Sequence, residues 1–189
     1  MTESSTWTGR LLEGAEETTW RMEARRFVEG VGLAALFGGA IGLRSPHAGA
    51  LTHALGVAVG FLGVGLLAVP ALAIVLALAD ASTSALALGR ATSRAVATAG
   101  LVLAGLAPGA ALFAVSVEDA VTVTVVASGG LVLAGALAMR SFAHEIGPQL
   151  DAARARHATR IALPCFLAFA GVLGARIWWV MLPTLRGGL

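Results

Sequence analysis

Residues 50–79, ALTHALGVAVGFLGVGLLAVPALAIVLALA, run for 30 positions without a formal charge. As a helix this run is about 45 Å long at roughly 1.5 Å per residue. A bilayer's hydrocarbon core is about 30 Å thick and takes about 20 apolar residues. The run is therefore too long for one upright span and too short for two spans and a loop. Pro70 lies two-thirds of the way along it, where a helix kinks. The expectation is one long, tilted, kinked membrane helix, with the remaining chain arranged around the same bilayer.

The other apolar stretches repeat this pattern. The chain is 57% hydrophobic and 13% charged, with a mean hydropathy of +0.83. A soluble domain carries about 25% charged residues, so this composition cannot cover a water-facing surface. A β-barrel would alternate apolar and polar residues in segments of about ten, whereas these runs are continuous. The reading is an all-α, polytopic transmembrane helical bundle with five spans at about 27–43, 50–79, 95–115, 120–139 and 161–182. Residues 1–26 form a polar cytoplasmic or interfacial segment, and 27–189 form the transmembrane domain. Within 1–26, Trp7, Leu11 and Ala15 recur at helical spacing, which suits either a surface-lying amphipathic helix or a loosely ordered tail. Residues 81–94 and 140–160 read as polar connections, and Ser116–Asp119 as a tight acidic turn.

All 13 basic residues are Arg. They lie between apolar runs, so the pI of 9.9 reports topology and not nucleic-acid binding. With the N-terminus cytoplasmic, ten of them fall inside: Arg10, Arg21, Arg25, Arg26, Arg90, Arg94, Arg140, Arg154, Arg156 and Arg160. Arg44 and Arg186 fall outside, and Arg176 lies within the fifth span. The positive-inside rule therefore predicts N-terminus in and C-terminus out, in the inner (plasma) membrane. The inner arginines could hold anionic lipid headgroups.

Between helices in lipid, small residues allow close backbone approach. Three Gly pairs four apart are candidate packing positions: Gly38 and Gly42, Gly56 and Gly60, Gly105 and Gly109. Glu29 sits at the entry edge of the first span, and Arg176 is a charge within the fifth, beside Trp178 and Trp179. Three readings apply to it: snorkelling to the interface, a structural ion pair with Glu118 or Asp119, or a ligand-binding charge. His47 and His53 read as interfacial histidines, and Cys165 as a small buried hydrophobe.

Constellations for catalysis are missing. His144-Glu145 begins like a zinc-protease helix, but Pro148 occupies the second His position. With no Lys, no phosphate-binding P-loop can be completed. No acid sits at the centre of a span, which disfavours proton-coupled transport. No cofactor or metal is expected.

The segments LAGLAPGAALFAVSVEDA (103–120), FAGVLGARIWWVMLPTLRG (169–187) and VPALAIVLALAD (69–80) resemble a group of uncharacterised bacterial five-span membrane proteins. These in turn resemble, more distantly, the Yip family of membrane-trafficking proteins. Arg176 stands where that resemblance implies a neutral amide, and the resemblance carries over no catalytic residue. The function expected is a non-enzymatic scaffold or accessory protein that binds other membrane proteins or itself. The alternative is a small channel or transporter formed as an oligomer around the second span.

Overall fold

The computed structural model describes residues 20–44, 49–78, 83–151 and 156–182, without the side chains of residues 120 and 149–160. Among these residues it is all-α, with five helices: α1 (Trp20–Gly42), α2 (Gly49–Leu78), α3 (Ala85–Ser116), α4 (Ala120–Asp151) and α5 (Arg156–Met181). Four of them, α2 to α5, are long and apolar enough to cross a membrane. Helix α1 differs because Arg21, Glu23, Arg25, Arg26 and Glu29 occupy its first half. Its uncharged part begins at Gly30 and is about 20 Å long, short of the about 30 Å hydrocarbon core.

The helix ends follow local chemistry. Ser84 caps α3, its hydroxyl accepting the Ala87 N–H at 3.1 Å. The Val117 N–H closes the other end on the Phe113 carbonyl at 3.1 Å. Two residues later Asp119 caps α4, accepting the N–H of Thr122 at 2.9 Å and of Val121 at 3.3 Å. Such caps satisfy backbone donors that a helix start leaves unpaired. Gly49 opens α2 at φ +64, in the left-handed region that a residue with a side chain seldom adopts.

The helices run further than hydropathy alone implies. Residues 85–94, expected in a loop, form the first turns of α3, and residues 140–151, expected in a connection, extend α4. Both segments are rich in helix formers, and a helix continues past the hydrocarbon region wherever its propensity and its packing allow. Residues 20–26, assigned to the N-terminal segment, are the first turns of α1. Pro70, Pro108, Pro148 and Pro164 lie inside continuous helices. The remainder of the expected surface helix, residues 1–19, lies outside the described residues.

Successive helices alternate in direction, so α1 and α3 run parallel. Their most extensive packing is on each other, and α1 also packs on α2, α3 on α4, and α2 on α5. Going round the bundle, the order is therefore α5, α2, α1, α3, α4. The last pair, α4 and α5, meets only sparsely. One core cluster joins Phe37, Val57, Phe61, Leu103 and Leu131. A second joins Leu72, Leu76, Leu88, Phe142 and Ile146. Large apolar side chains also point outward, such as Leu51, Leu66, Ile74, Val132 and Val172. In water such a surface would drive association; a membrane-embedded bundle needs it.

Candidate functional site

Three features could carry function: the glycine contact faces, a charged cluster at one end, and an open seam between α4 and α5.

The glycines set helix separation. A Cβ placed on Gly30 of α1 would lie 2.8 Å from the Ala97 nitrogen of α3, and one on Gly100 would meet the Gly30 carbonyl. Gly38 and Gly42 bring α1 onto α2: a Cβ at Gly38 would strike the His53 carbonyl, and one at Gly42 would lie 2.8 Å from the Ala50 Cα. Gly56 and Gly60 face α5, where Leu182 and Trp178 fill the space beside them. The Trp178 indole N–H reaches the Val57 carbonyl at 3.4 Å, and its ring packs edge-on against Phe61 at 5.5 Å. Gly105 and Gly109 have nothing within 4 Å of a built Cβ, and both lie on the exposed side of α3. The Gly30–Gly100 contact escapes a search for pairs four apart, because each helix contributes one glycine.

The charged cluster gathers residues that the sequence scatters over three segments. Glu23 and Arg26 of α1 pair at 3.0 Å and are both almost fully buried. The Ser93 hydroxyl of α3 donates to the same Glu23 carboxylate. On the same turn of α3, Arg94 at 2.5 Å and Arg90 at 3.0 Å pair with Glu145 of α4. Thr98 and Ser141 continue this α3–α4 line at 3.4 Å. Their only signal in the sequence is the spacing of Arg90 and Arg94, four apart on one face of a helix, once the helix is known to start at Ala85.

At the opposite end, Arg44 donates to the carbonyls of Val117 and Glu118. The Asp119 carboxyl is held below the ordinary carboxylate range by hydrogen bonds from the Thr122 hydroxyl and N–H and the Val121 N–H, with Arg44 adding attraction. The structure does not bring Arg176 to Glu118 or Asp119: among the described residues no ion pair joins them. Arg44 ends α1, which packs on α3, whereas Arg176 is an exposed residue of α5. His53, expected at the interface, is instead fully buried against the glycine face of α1, with Nδ1 3.1 Å from the Gly49 carbonyl and Nε2 without a hydrogen-bond partner. His47 lies outside the described residues. Cys165, expected to be buried, is exposed on α5. His144 and Glu145 sit in α4, and among the described residues no three His, Cys, Asp or Glu side chains come together as a metal site.

The seam between α4 and α5 encloses about 540 Å³. Phe61 and Val69 of α2 and Ala95 and Val96 of α3 form its floor. Side chains from Thr124 to Phe142 of α4 and from Phe166 to Trp179 of α5 form its walls. The lining is almost wholly apolar.

Comparison of the chain with protein-family models, with curated proteins and with solved structures finds no match.

Proposed function

We propose that the protein is a non-enzymatic scaffold or accessory protein of a membrane complex, with five spans, its N-terminus cytoplasmic and its C-terminus outside, in the inner membrane. Helix α1 as the fifth span is supported by its parallel course along α3, from Trp20 beside Gly89 to Arg44 beside Val117. Packing Glu23 and Arg26 against Ser93 shelters the charges that its composition would otherwise expose.

The observation that carries the scaffold reading is the unoccupied Gly105–Gly109 notch. Every other Gly pair named above is filled by a helix of this chain. The notch is flanked by the exposed apolar side chains of Leu106, Leu112 and Phe113. In lipid, where apolar burial gives little drive, such a small-residue notch is what allows another helix to approach. The helix that fills it belongs to another membrane protein or to a second copy. A photoreactive residue at Leu106, activated in native membranes, is expected to give an adduct of defined mass that disappears when Gly109→Leu fills the notch. No adduct, or an adduct indifferent to Gly109→Leu, would remove the proposal.

A channel or transporter has less support. The seam is lined almost wholly by apolar side chains, and the hydroxyls of Thr92 and Ser128 on it donate back to their own helices, to the Leu88 and Thr124 carbonyls at 2.8 and 2.7 Å. Little there would replace water around an ion.

A further inference from the structure

We infer that the outward face of α1 is a lipid-contact surface that fits a thinned bilayer: zwitterionic phospholipid headgroups descend there to Arg25 and Glu29, while hydrocarbon still covers the neighbouring α2 at the same depth. The inference rests on α1 being a membrane span and is independent of the Gly105–Gly109 notch.

Contacts between α1 and α2 fix their relative depth. Gly42 lies against Ala50, Gly38 against His53, and the Phe27 ring against Gly65. Fifteen residues separate Phe27 from Gly42 on α1, and fifteen separate Ala50 from Gly65 on α2, so the two antiparallel helices stay in step. Arg25 is therefore level, within about one turn, with Leu66 and Leu67.

At that shared depth the outward surfaces disagree. On α1 the Arg25 side chain is 80% exposed and pairs at 2.7 Å with Glu29, one turn further along. On α2, Leu66 and Leu67 are 72% and 60% exposed. Towards the end of the bundle where α1 begins, α2 stays apolar and exposed through Ile74 to Leu78, about 17 Å past Leu67 at roughly 1.5 Å per residue. Towards the other end, the exposed line of α1 runs through Gly32, Leu36 and Leu43 and meets the next charge at Arg44. This face offers lipid about 20 Å, whereas uncharged α2 is about 45 Å long and ordinary hydrocarbon about 30 Å thick.

A span that is too short is accommodated by thinning the bilayer, by snorkelling or by association. Tilt only shortens its reach. Snorkelling is restricted, because Arg25 is tied to Glu29 and Arg44 to the Val117 and Glu118 carbonyls. Association with another helix would strip water from an exposed ion pair, and that desolvation is costly. Thinning leaves the pair hydrated. A zwitterionic headgroup also carries both signs, with a phosphate for the guanidinium and a cation for the carboxylate.

The test uses the full chain in sealed, oriented vesicles of phosphatidylcholine with short, medium or long monounsaturated chains. Val28→Cys and Leu67→Cys are made separately in a Cys165→Ala background and labelled with a water-soluble maleimide. Leu67 lies nearer the end where α1 begins, so a flat membrane labels Leu67→Cys at least as fast as Val28→Cys. The thinned face reverses the order, with Val28→Cys about tenfold faster in medium chains, or about 1.4 kcal/mol in activation free energy. Arg25→Leu with Glu29→Leu carries the apolar face on to Met22. It should cancel the reversal, and its Tm relative to the parent should rise as the chains lengthen. Leu67→Cys labelled as fast as Val28→Cys, or a Tm difference indifferent to chain length, would overturn the inference. Leu43→Cys labelled from the same side as Val28→Cys would overturn the span and this inference with it. Labelled from the opposite side, it keeps the span, and slow labelling of Val28→Cys then overturns the thinned face alone.

Discussion

Gly30 of α1 and Gly100 of α3 pack main chain to main chain, so that a Cβ on Gly100 would fall on the Gly30 carbonyl. This contact sets the spacing of the most extensively packed helix pair and draws Glu23 towards Ser93 and Arg44 towards the α3–α4 turn. Gly100→Val is expected to force the pair apart, at about 1–3 kcal/mol for overpacking, lowering Tm by several degrees in detergent. Gly105→Ala, where a Cβ meets open space, should leave Tm unchanged or slightly raised.

The buried Glu23–Arg26 pair should respond unequally to its neighbours' removal. Glu23→Ala takes away the carboxylate that Arg26 and Ser93 share, and breaking a buried pair costs about 3–5 kcal/mol. Ser93→Ala removes one hydrogen bond to a charged group, about 1.5–3 kcal/mol. Because both act on one carboxylate, the double variant should be less destabilised than the sum of the two. Thermal melts of the two single variants and the double variant measure the difference.

Arg44 and Arg176 separate the two candidate locks at the acidic turn. Arg44→Gln loses charge-assisted bonds to the Val117 and Glu118 carbonyls and should cost about 1–2 kcal/mol. Arg176→Gln, on an exposed face, should stay within about 0.5 kcal/mol of the parent. Protein level and Tm in detergent report both, and a larger loss from Arg176→Gln would reinstate an ion pair for that residue.

Acid should release the cap on α4. The folded Asp119 carboxyl titrates below its ordinary value of 3.8, so the unfolded chain binds its proton first as pH falls. Its contribution is therefore complete above that ordinary value and is lost as pH drops through the lower, folded one. Asp119→Asn cannot titrate, and its Tm should depend less on pH than the parent's between about pH 5 and pH 2. Parallel melts across that range would show no difference if the cap were immaterial.

Much of the fold is legible along the chain because lipid imposes a one-dimensional rule: an apolar run must be a helix that satisfies its own backbone. Residues 50–79 and the helix Gly49–Leu78 coincide for that reason. Hydropathy stops being informative where a helix leaves the apolar region, so the first turns of α3 and the last of α4 read as connections. Local chemistry still marks one such boundary, in the Ser84 cap.

What the linear chain could not decide is which helices become neighbours. Glycine spacing marks Gly38, Gly42, Gly56, Gly60, Gly105 and Gly109 as equivalent, yet two pairs meet helices and the third meets none. Arg176 looks suited to the acidic turn by depth alone, but depth does not give position around the bundle, and Arg44 arrives there on α1. The seam between α4 and α5 has no local mark, because a gap is a property of two helices that fail to close. The sequence by itself determined that the apolar runs are helices, roughly where they lie and the apolar surroundings they need, since each follows from the residues within one segment. Only the tertiary structure decided the contacts of Gly30 with Gly100, of Glu145 with two arginines, and the cavity, since each depends on azimuthal faces brought together from segments far apart.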